Sequence, residues 1–246
     1  MNSRLAKQIF YAAGYLSALF LVIFIAYLIW FKPVATCFDN RRNQNETDID
    51  CGGQCQACEI KTLILPEVSW LKYFPADNQI VIAAEIKNSN LNYAADFFSY
   101  TIDIYDNGGV KIKSLMKNSF IYAGEIKYLV ESVEIDSKKI KEIKISFSNI
   151  HWKLNEEFKK PVTQLREIKT ESTVVSGFLT NNNAFRLSKI RIFGFLYNQY
   201  GILIGASKTE LENISAFEEK FFKINFPKNL GDINPDKTKV YAEAIK

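Results

Sequence analysis

Apolar positions along this chain follow two different rules. From Ile9 to Phe31 they form an unbroken, uncharged run, IFYAAGYLSALFLVIFIAYLIWF. As a helix this run spans about 34 Å, enough for a hydrocarbon core of about 30 Å. Tyr11, Tyr15, Tyr27 and Trp30 lie toward its ends, where amphipathic rings favour the interface. From about Glu59 onward, short segments rich in Ile, Val, Phe, Tyr and Thr alternate with Asn, Gly, Asp and Ser. That is the pattern of strands and turns, and no long amphipathic helix interrupts it. Gln79–Lys87, Tyr100–Tyr105, Lys139–Ser148, Thr173–Thr180 and Ile190–Tyr197 read as strands.

The strand pattern repeats. Gln79–Asn88 aligns with Ser172–Asn181 without a gap, and each is followed by an Asn-rich turn, Asn88-Ser-Asn90 and Asn181-Asn-Asn183. Ile104-Tyr105-Asp106 then corresponds to Leu196-Tyr197-Asn198, with a glycine turn after each. A repeat of about 90 residues is a duplicated domain rather than a solenoid unit. The predicted fold class is all-β, with two tandem Ig-like sandwiches on one N-terminal transmembrane helix. The boundaries are 1–8 cytoplasmic, 9–31 transmembrane, 32–59 a cysteine-rich juxtamembrane loop, 60–154 the first sandwich, 155–162 a linker and 163–246 the second. Two modules on a short stalk would form a rod.

Length and flanks favour an uncleaved anchor. A signal peptide has a shorter apolar region, and Lys32-Pro33 is a poor exit for a peptidase. Val34-Ala-Thr36-Cys37 superficially matches a lipid-attachment site, but Thr36 is a poor residue before the cut. Arg4 and Lys7 favour an inside N-terminus, although Lys32, Arg41 and Arg42 flank the other side.

The cysteines break the tie. All four, Cys37, Cys51, Cys55 and Cys58, fall just after the apolar run in a segment too polar to form a core. Such a segment needs covalent or metal staples. Outside a membrane, thiols oxidise, so disulfides are expected over a four-thiolate zinc site. Cys55 and Cys58 are too close for an easy pair, which leaves the two pairings that join each of them to Cys37 or Cys51. The chain is thus expected in the cell membrane with its C-terminal domains extracytoplasmic.

Two resemblances follow. Cys37, Asp39, Asn43, Glu46, Asp50, Cys51, Gly52, Gly53, Cys55 and Cys58 match the motif CxDGxxNGxExxxDCGGxCxxC of bacterial and archaeal surface proteins. The resemblance implies a small loop in which Asp39, Asn43, Glu46 and Asp50 would suit a structural calcium ion. Capping of turns by the same side chains is the alternative. Asn40 and Gln44 replace the two loop glycines of that motif, and Arg41 and Arg42 add unfavourable charge beside a cation. The strand repeat resembles the FxLYD family of small extracytoplasmic sandwiches. The signature falls on Ile102, Ile104, Tyr105 and Asp106, and again on Leu196, Tyr197 and Asn198. The resemblance implies that the tyrosine anchors a core and that the Asp or Asn starts a turn; it brings no activity.

Charge and chemistry narrow the rest. The net charge is +4, and residues 1–37 carry Arg4, Lys7 and Lys32 with no acid, which leaves +1 for the remainder. A balanced domain without a basic run has no electrostatic footprint for nucleic acid. His151 is the single histidine, and no nucleophile elbow, P-loop or dinucleotide fingerprint is present. The chain is therefore expected to be non-catalytic and to require no cofactor. The sequons at Asn45 and Asn213 matter only in a host that glycosylates them. Aromatics make up 14% of residues, and clusters such as Phe97-Phe98 and Phe221-Phe222 belong to a sandwich core or face a partner at the domain junction or a sheet edge. The expected partners are the lipid bilayer through residues 9–31 and an envelope protein. Docking through the helix, as an accessory subunit of a membrane enzyme or secretion complex, is the alternative, since Ala12, Ala13, Gly14 and Ser17 offer a small-residue patch.

Overall fold

The computed structural model describes residues 3–30, 35–76, 78–228 and 230–245. They form two units, Met1–Thr62 and Leu63–Lys246. The first contains helix α1, Ser3–Trp30, whose apolar side chains are exposed on nearly every face. Exposure all round is what a bilayer, and not water, makes favourable. Phe31 to Val34, which include the predicted end of the span and the Lys32 flank, lie outside the described residues. After them comes a loop closed by a short 3₁₀ turn, Cys58–Thr62.

Among the described residues, the second unit has twelve strands. The first six are β1 Glu67–Ala76, β2 Gln79–Lys87, β3 Tyr93–Tyr105, β4 Lys111–Ile121, β5 Ile126–Val133 and β6 Glu142–Leu154. They pair antiparallel as two three-stranded sheets, β1-β2-β5 and β4-β3-β6. The next six are β7 Thr163–Glu171, β8 Val174–Asn181, β9 Leu187–Tyr197, β10 Leu203–Ile214, β11 Glu219–Asn225 and β12 Lys239–Ile245. Their sheets, β7-β8-β11 and β10-β9-β12, repeat the order of the first set strand for strand.

Each six-strand set has its own core, because alternate residues of a strand face opposite ways. In β2, Ile80, Ile82, Ala84 and Ile86 are buried on one parity; in β3, Tyr100, Ile102 and Ile104 are. In the second set Val175, Leu179, Ile190, Ile192, Leu196, Phe222 and Ile224 form one cluster.

Two strands break the expected half-buried pattern. In β2, Val81 and Ala83 are buried as well, and in β9 so are Phe193 and Phe195. These opposite faces meet. Phe74, Ala76, Val81, Ala83 and Val130 of the first sandwich share one apolar cluster with Phe193, Phe195, Leu203 and Ala206 of the second. Trp70, Tyr128, Tyr197 and Tyr241 pack around it. Burying a Phe or Val side chain is worth about 1.5–3 kcal/mol, so this layer is a third core. Besides their own cores, the two sandwiches share this layer, in which sheet β1-β2-β5 faces sheet β10-β9-β12. The near-continuous apolar runs of β2 and β9 are the mark of strands covered on both sides.

Candidate functional site

Three places combine unusual chemistry with defined geometry: the cysteine loop, the junction between the sandwiches, and the lone histidine.

In the loop, Cys37 pairs with Cys55 and Cys51 with Cys58, and no described cysteine is free. Of the two pairings open to the sequence, this is the one formed. Asn40 and Gln44, which stand where the resembling motif has glycine, adopt left-handed backbone with φ of 57° and 48°. Gly52 and Gly53 also have positive φ, and a Cβ on either would lie 2.3 Å from Thr47 Oγ1 or the Asn45 carbonyl oxygen. The Cys-Gly-Gly run is thus dictated by space as well as by torsion.

The four proposed calcium ligands do come together; the carboxylates of Asp39, Glu46 and Asp50 accept from the loop's own donors, while Asn43 Oδ1 is buried without a partner. Asp50 Oδ1 accepts from the backbone N–H of Asp39 at 3.0 Å and of Asn40 at 3.1 Å. Glu46, buried, accepts through Oε2 from the N–H of Asn43 at 3.1 Å and of Asp50 at 3.2 Å. Asp39 accepts from Arg41 N–H at 2.9 Å and from Asn43 Nδ2 at 2.8 Å. The Asn43 bond, aided by the Thr36 and Arg41 amides, outweighs desolvation and holds the Asp39 carboxyl below its ordinary value. At Asp39, Glu46 and Asp50 a cation would have to displace N–H groups whose positive ends already point at these carboxylates, which cap the turns of the loop. Glu46 also lies within 4.8 Å of Cys37 and Cys55 Sγ, but those sulfurs are tied to each other in a disulfide and offer no thiolate.

The junction carries a charged network that sequence reasoning missed. Lys127 on β5 meets Glu243 on β12 at 2.5 Å, with only 1% and 6% of the two side chains exposed. Lys127 Nζ also sits 4.2 Å above the Phe120 ring. Burial pushes the Lys127 amine below its ordinary value, against the pull of Glu243. Arg191 of β9 stands 3.6 Å from the other Glu243 oxygen.

A second group centres on Glu131 of β5. It accepts from Tyr100 Oη at 3.0 Å, from Lys208 of β10 at 3.0 Å, and from Lys117. Burial raises the Glu131 carboxyl, but Lys208 and Lys117 outweigh it and hold it below the ordinary range. Burial and the adjacent Glu131 charge push the Tyr100 phenol well up. A polar cavity of about 120 Å³ lies among these groups. Tyr122 of the first sandwich also donates to the Ala244 carbonyl of β12 at 2.9 Å. One signal could have found this network: Lys127 and Glu131 share parity in β5 with buried Leu129 and Val133, so both charges point inward.

The corners of the two sandwiches repeat one bonding pattern. Buried Asn88 donates to the carbonyls of Tyr93 and Tyr122, and buried Asn181 to those of Phe185, Ile214 and Ser215. Asn90 and Asn183 each donate from N–H and Nδ2 to the oxygen of that buried Asn. Asp106 Oδ1 accepts from Gly108 and Val110 N–H; Asn198 Oδ1 accepts from Tyr200 and Ile202 N–H. Glu125 and Glu218 accept from the amides of Tyr122 and Ser215. Asp106 and Asn198 therefore do start turns. The tyrosines before them are half-buried, Tyr197 against the layer between the sandwiches, and their neighbours Ile104 and Leu196 are core residues.

His151 Nδ1 lies 2.9 Å from Asp96 Oδ1, and Lys153 reaches the other oxygen at 2.8 Å. Partial burial raises Asp96, but the bonds from Lys153 and His151 outweigh it and keep the carboxyl below its ordinary value. The histidine side chain is 57% exposed. This is a surface ion cluster pinning β6 to β3 across the His151–Phe97 register. The aromatic pairs also divide: Phe98 and Phe222 are core residues, while Phe97 and Phe221 face outward. The junction draws on Trp70, Tyr128, Phe195 and Tyr241, whose rings pack at 4.3–6.3 Å.

Neither the known protein families nor the curated proteins contain a match to this chain. Among solved structures, the crystal structure of red sea bream transglutaminase is similar at 12% identity with a TM-score of 0.23. The match covers 72% of this chain and 31% of the transglutaminase chain, so this chain spans about a third of that protein's length. A likeness at that score carries no argument about fold or activity.

Proposed function

We propose that this is a single-pass membrane protein, N-terminus in the cytoplasm, that presents a rigid pair of duplicated sandwiches outside it and acts by binding another envelope protein. The observation that carries this reading is the pairing of all four cysteines directly beyond a helix that is apolar on all sides. Disulfides persist in oxidising compartments. The doubled Asn, Asp/Asn and Glu corner bonds support a duplication, and they support the FxLYD-like resemblance at the turn residues. The polar groups of the loop, the junction and the corners serve capping, pairing and docking, which supports a non-catalytic role.

The test uses intact cells and a membrane-impermeant maleimide. Labelling of the four native cysteines should appear only after an impermeant reductant is added. Labelling that requires cell lysis, or that occurs without reduction, would overturn the topology. In-cell cross-linking from exposed lysines of the sandwiches, read by mass spectrometry, should capture envelope proteins; capture of cytoplasmic proteins alone would refute the binding role.

A further inference from the structure

We propose that the free edge of β6 is a self-association surface, pairing antiparallel with the same strand of a second copy about Ile145. Among the described residues, β6 pairs with β3 alone, so one side of its 13-residue backbone has no strand beside it. Unpaired edges invite another strand, and proteins blunt them with lysines, bulges, prolines or short length.

The other outer strands carry such devices. Strand β4 bears Lys111, Lys113 and Lys117. A bulge and Pro75 interrupt β1, and a bulge with left-handed Glu167 interrupts β7. Strand β11 is seven residues long with two lysines, and β12 is equally short with its Ala244 carbonyl taken by Tyr122. Strands β5 and β10 are tied into the junction through Lys127, Glu131 and Lys208.

The segment from Glu142 to Ser148 has none of these except Lys144. It is regular in register until the bulge after Ser148. Ile143, Ile145 and Phe147 pair with Ile104, Ile102 and Tyr100, which are almost wholly buried, yet they themselves are only half-buried. A further strand would cover what the missing neighbour leaves open.

The sequence of this edge is complementary to itself. An antiparallel pairing centred on Ile145 sets Ile143 opposite Phe147 and Ile145 opposite its copy on the inner face. On the outer face it sets Lys144 opposite Ser146 and Glu142 opposite Ser148. Apolar meets apolar, and no like charges face each other, the condition for a stable cross-strand ladder. A two-fold pairing of this kind is closed and stops at a dimer.

Position 146 tests the register. In the full chain in detergent, sedimentation equilibrium should show a concentration-dependent dimer. Ser146→Lys places two like-charged pairs across the axis and should weaken association about tenfold, whereas Ser146→Glu creates two Lys–Glu pairs and should tighten it. Ser146 is exposed, so both variants should keep the parent melting temperature at dilutions where the chain is monomeric. A chain monomeric at all concentrations would overturn the proposal. So would a dimer indifferent to residue 146, which would place the contact elsewhere, for example on α1.

Discussion

At the scale of single residues, the matching corners act as an internal control. Gly124 and Phe217 occupy the same turn in the two sandwiches, each one residue before the capping glutamate, and both have positive φ, 63° and 59°. Left-handed backbone costs a side-chain-bearing residue about 1–2 kcal/mol, and glycine's extra chain entropy returns part of that. Because Phe217 is mostly exposed, its replacement loses little burial. Phe217→Gly should therefore stabilise the protein by about 1 kcal/mol in denaturant melts; destabilisation would mean that the ring packs usefully. Asn88 gives the opposite case. Asn88→Ala leaves two buried carbonyls, those of Tyr93 and Tyr122, without their donor, at about 1–3 kcal/mol each. Asn181→Ala should cost a similar amount, and a large inequality between the two would argue against equivalent corners.

At the scale of elements, the junction between β5 and β12 rests on a buried pair. Removing one partner of such a pair costs about 3–5 kcal/mol, because the other charge stays buried, while replacing both with apolar groups is often neutral or stabilising. Lys127→Met should destabilise sharply, and Lys127→Met with Glu243→Leu should recover most of the loss. A double variant as unstable as the single would show that Arg191, 3.6 Å from Glu243, depends on that carboxylate. The Glu131 group adds a pH dependence. Its carboxyl is held below the ordinary 4.5 in the fold. Below pH 4.5 the unfolded chain binds more protons at this site than the folded one, so its contribution, complete above 4.5, falls as the pH drops through the lowered value. Thermal melts should therefore weaken below pH 4.5, and Glu131→Gln should flatten that part of the profile. Strands were legible in the sequence because β3 and β6 alternate cleanly. The role of β2 and β9 was not, since a run buried on both faces has no period from which to read its partner.

At the scale of the whole molecule, the two units rely on different forces. In the described part of residues 35–62, Glu46 and Cys51 are the buried residues, so the loop depends on its disulfides. A disulfide closing about 15 residues contributes about 3 kcal/mol. Arg41 and Arg42 are exposed, so reduction, by freeing the loop backbone, should make trypsin cut after them while the sandwiches, which contain no cysteine, remain resistant. Equal loss of both under reductant would refute this division. The sandwich pair, with three apolar layers, should instead unfold as one cooperative transition.

The chain by itself determined the elements whose physics is local. An uninterrupted apolar run specifies a membrane-compatible helix, alternation specifies strands, clustered cysteines specify a stapled loop, and recurring Asn and Asp specify matched turns. Only the tertiary structure decided which cysteines pair, that the loop acids cap amides, and that the sandwiches stack through β2 and β9. Those outcomes depend on which groups meet in space after the chain has folded. Lys127 and Glu243 show why: the parity of β5 turns Lys127 inward, but nothing in the sequence names Glu243 as its partner until β12 is packed against β5.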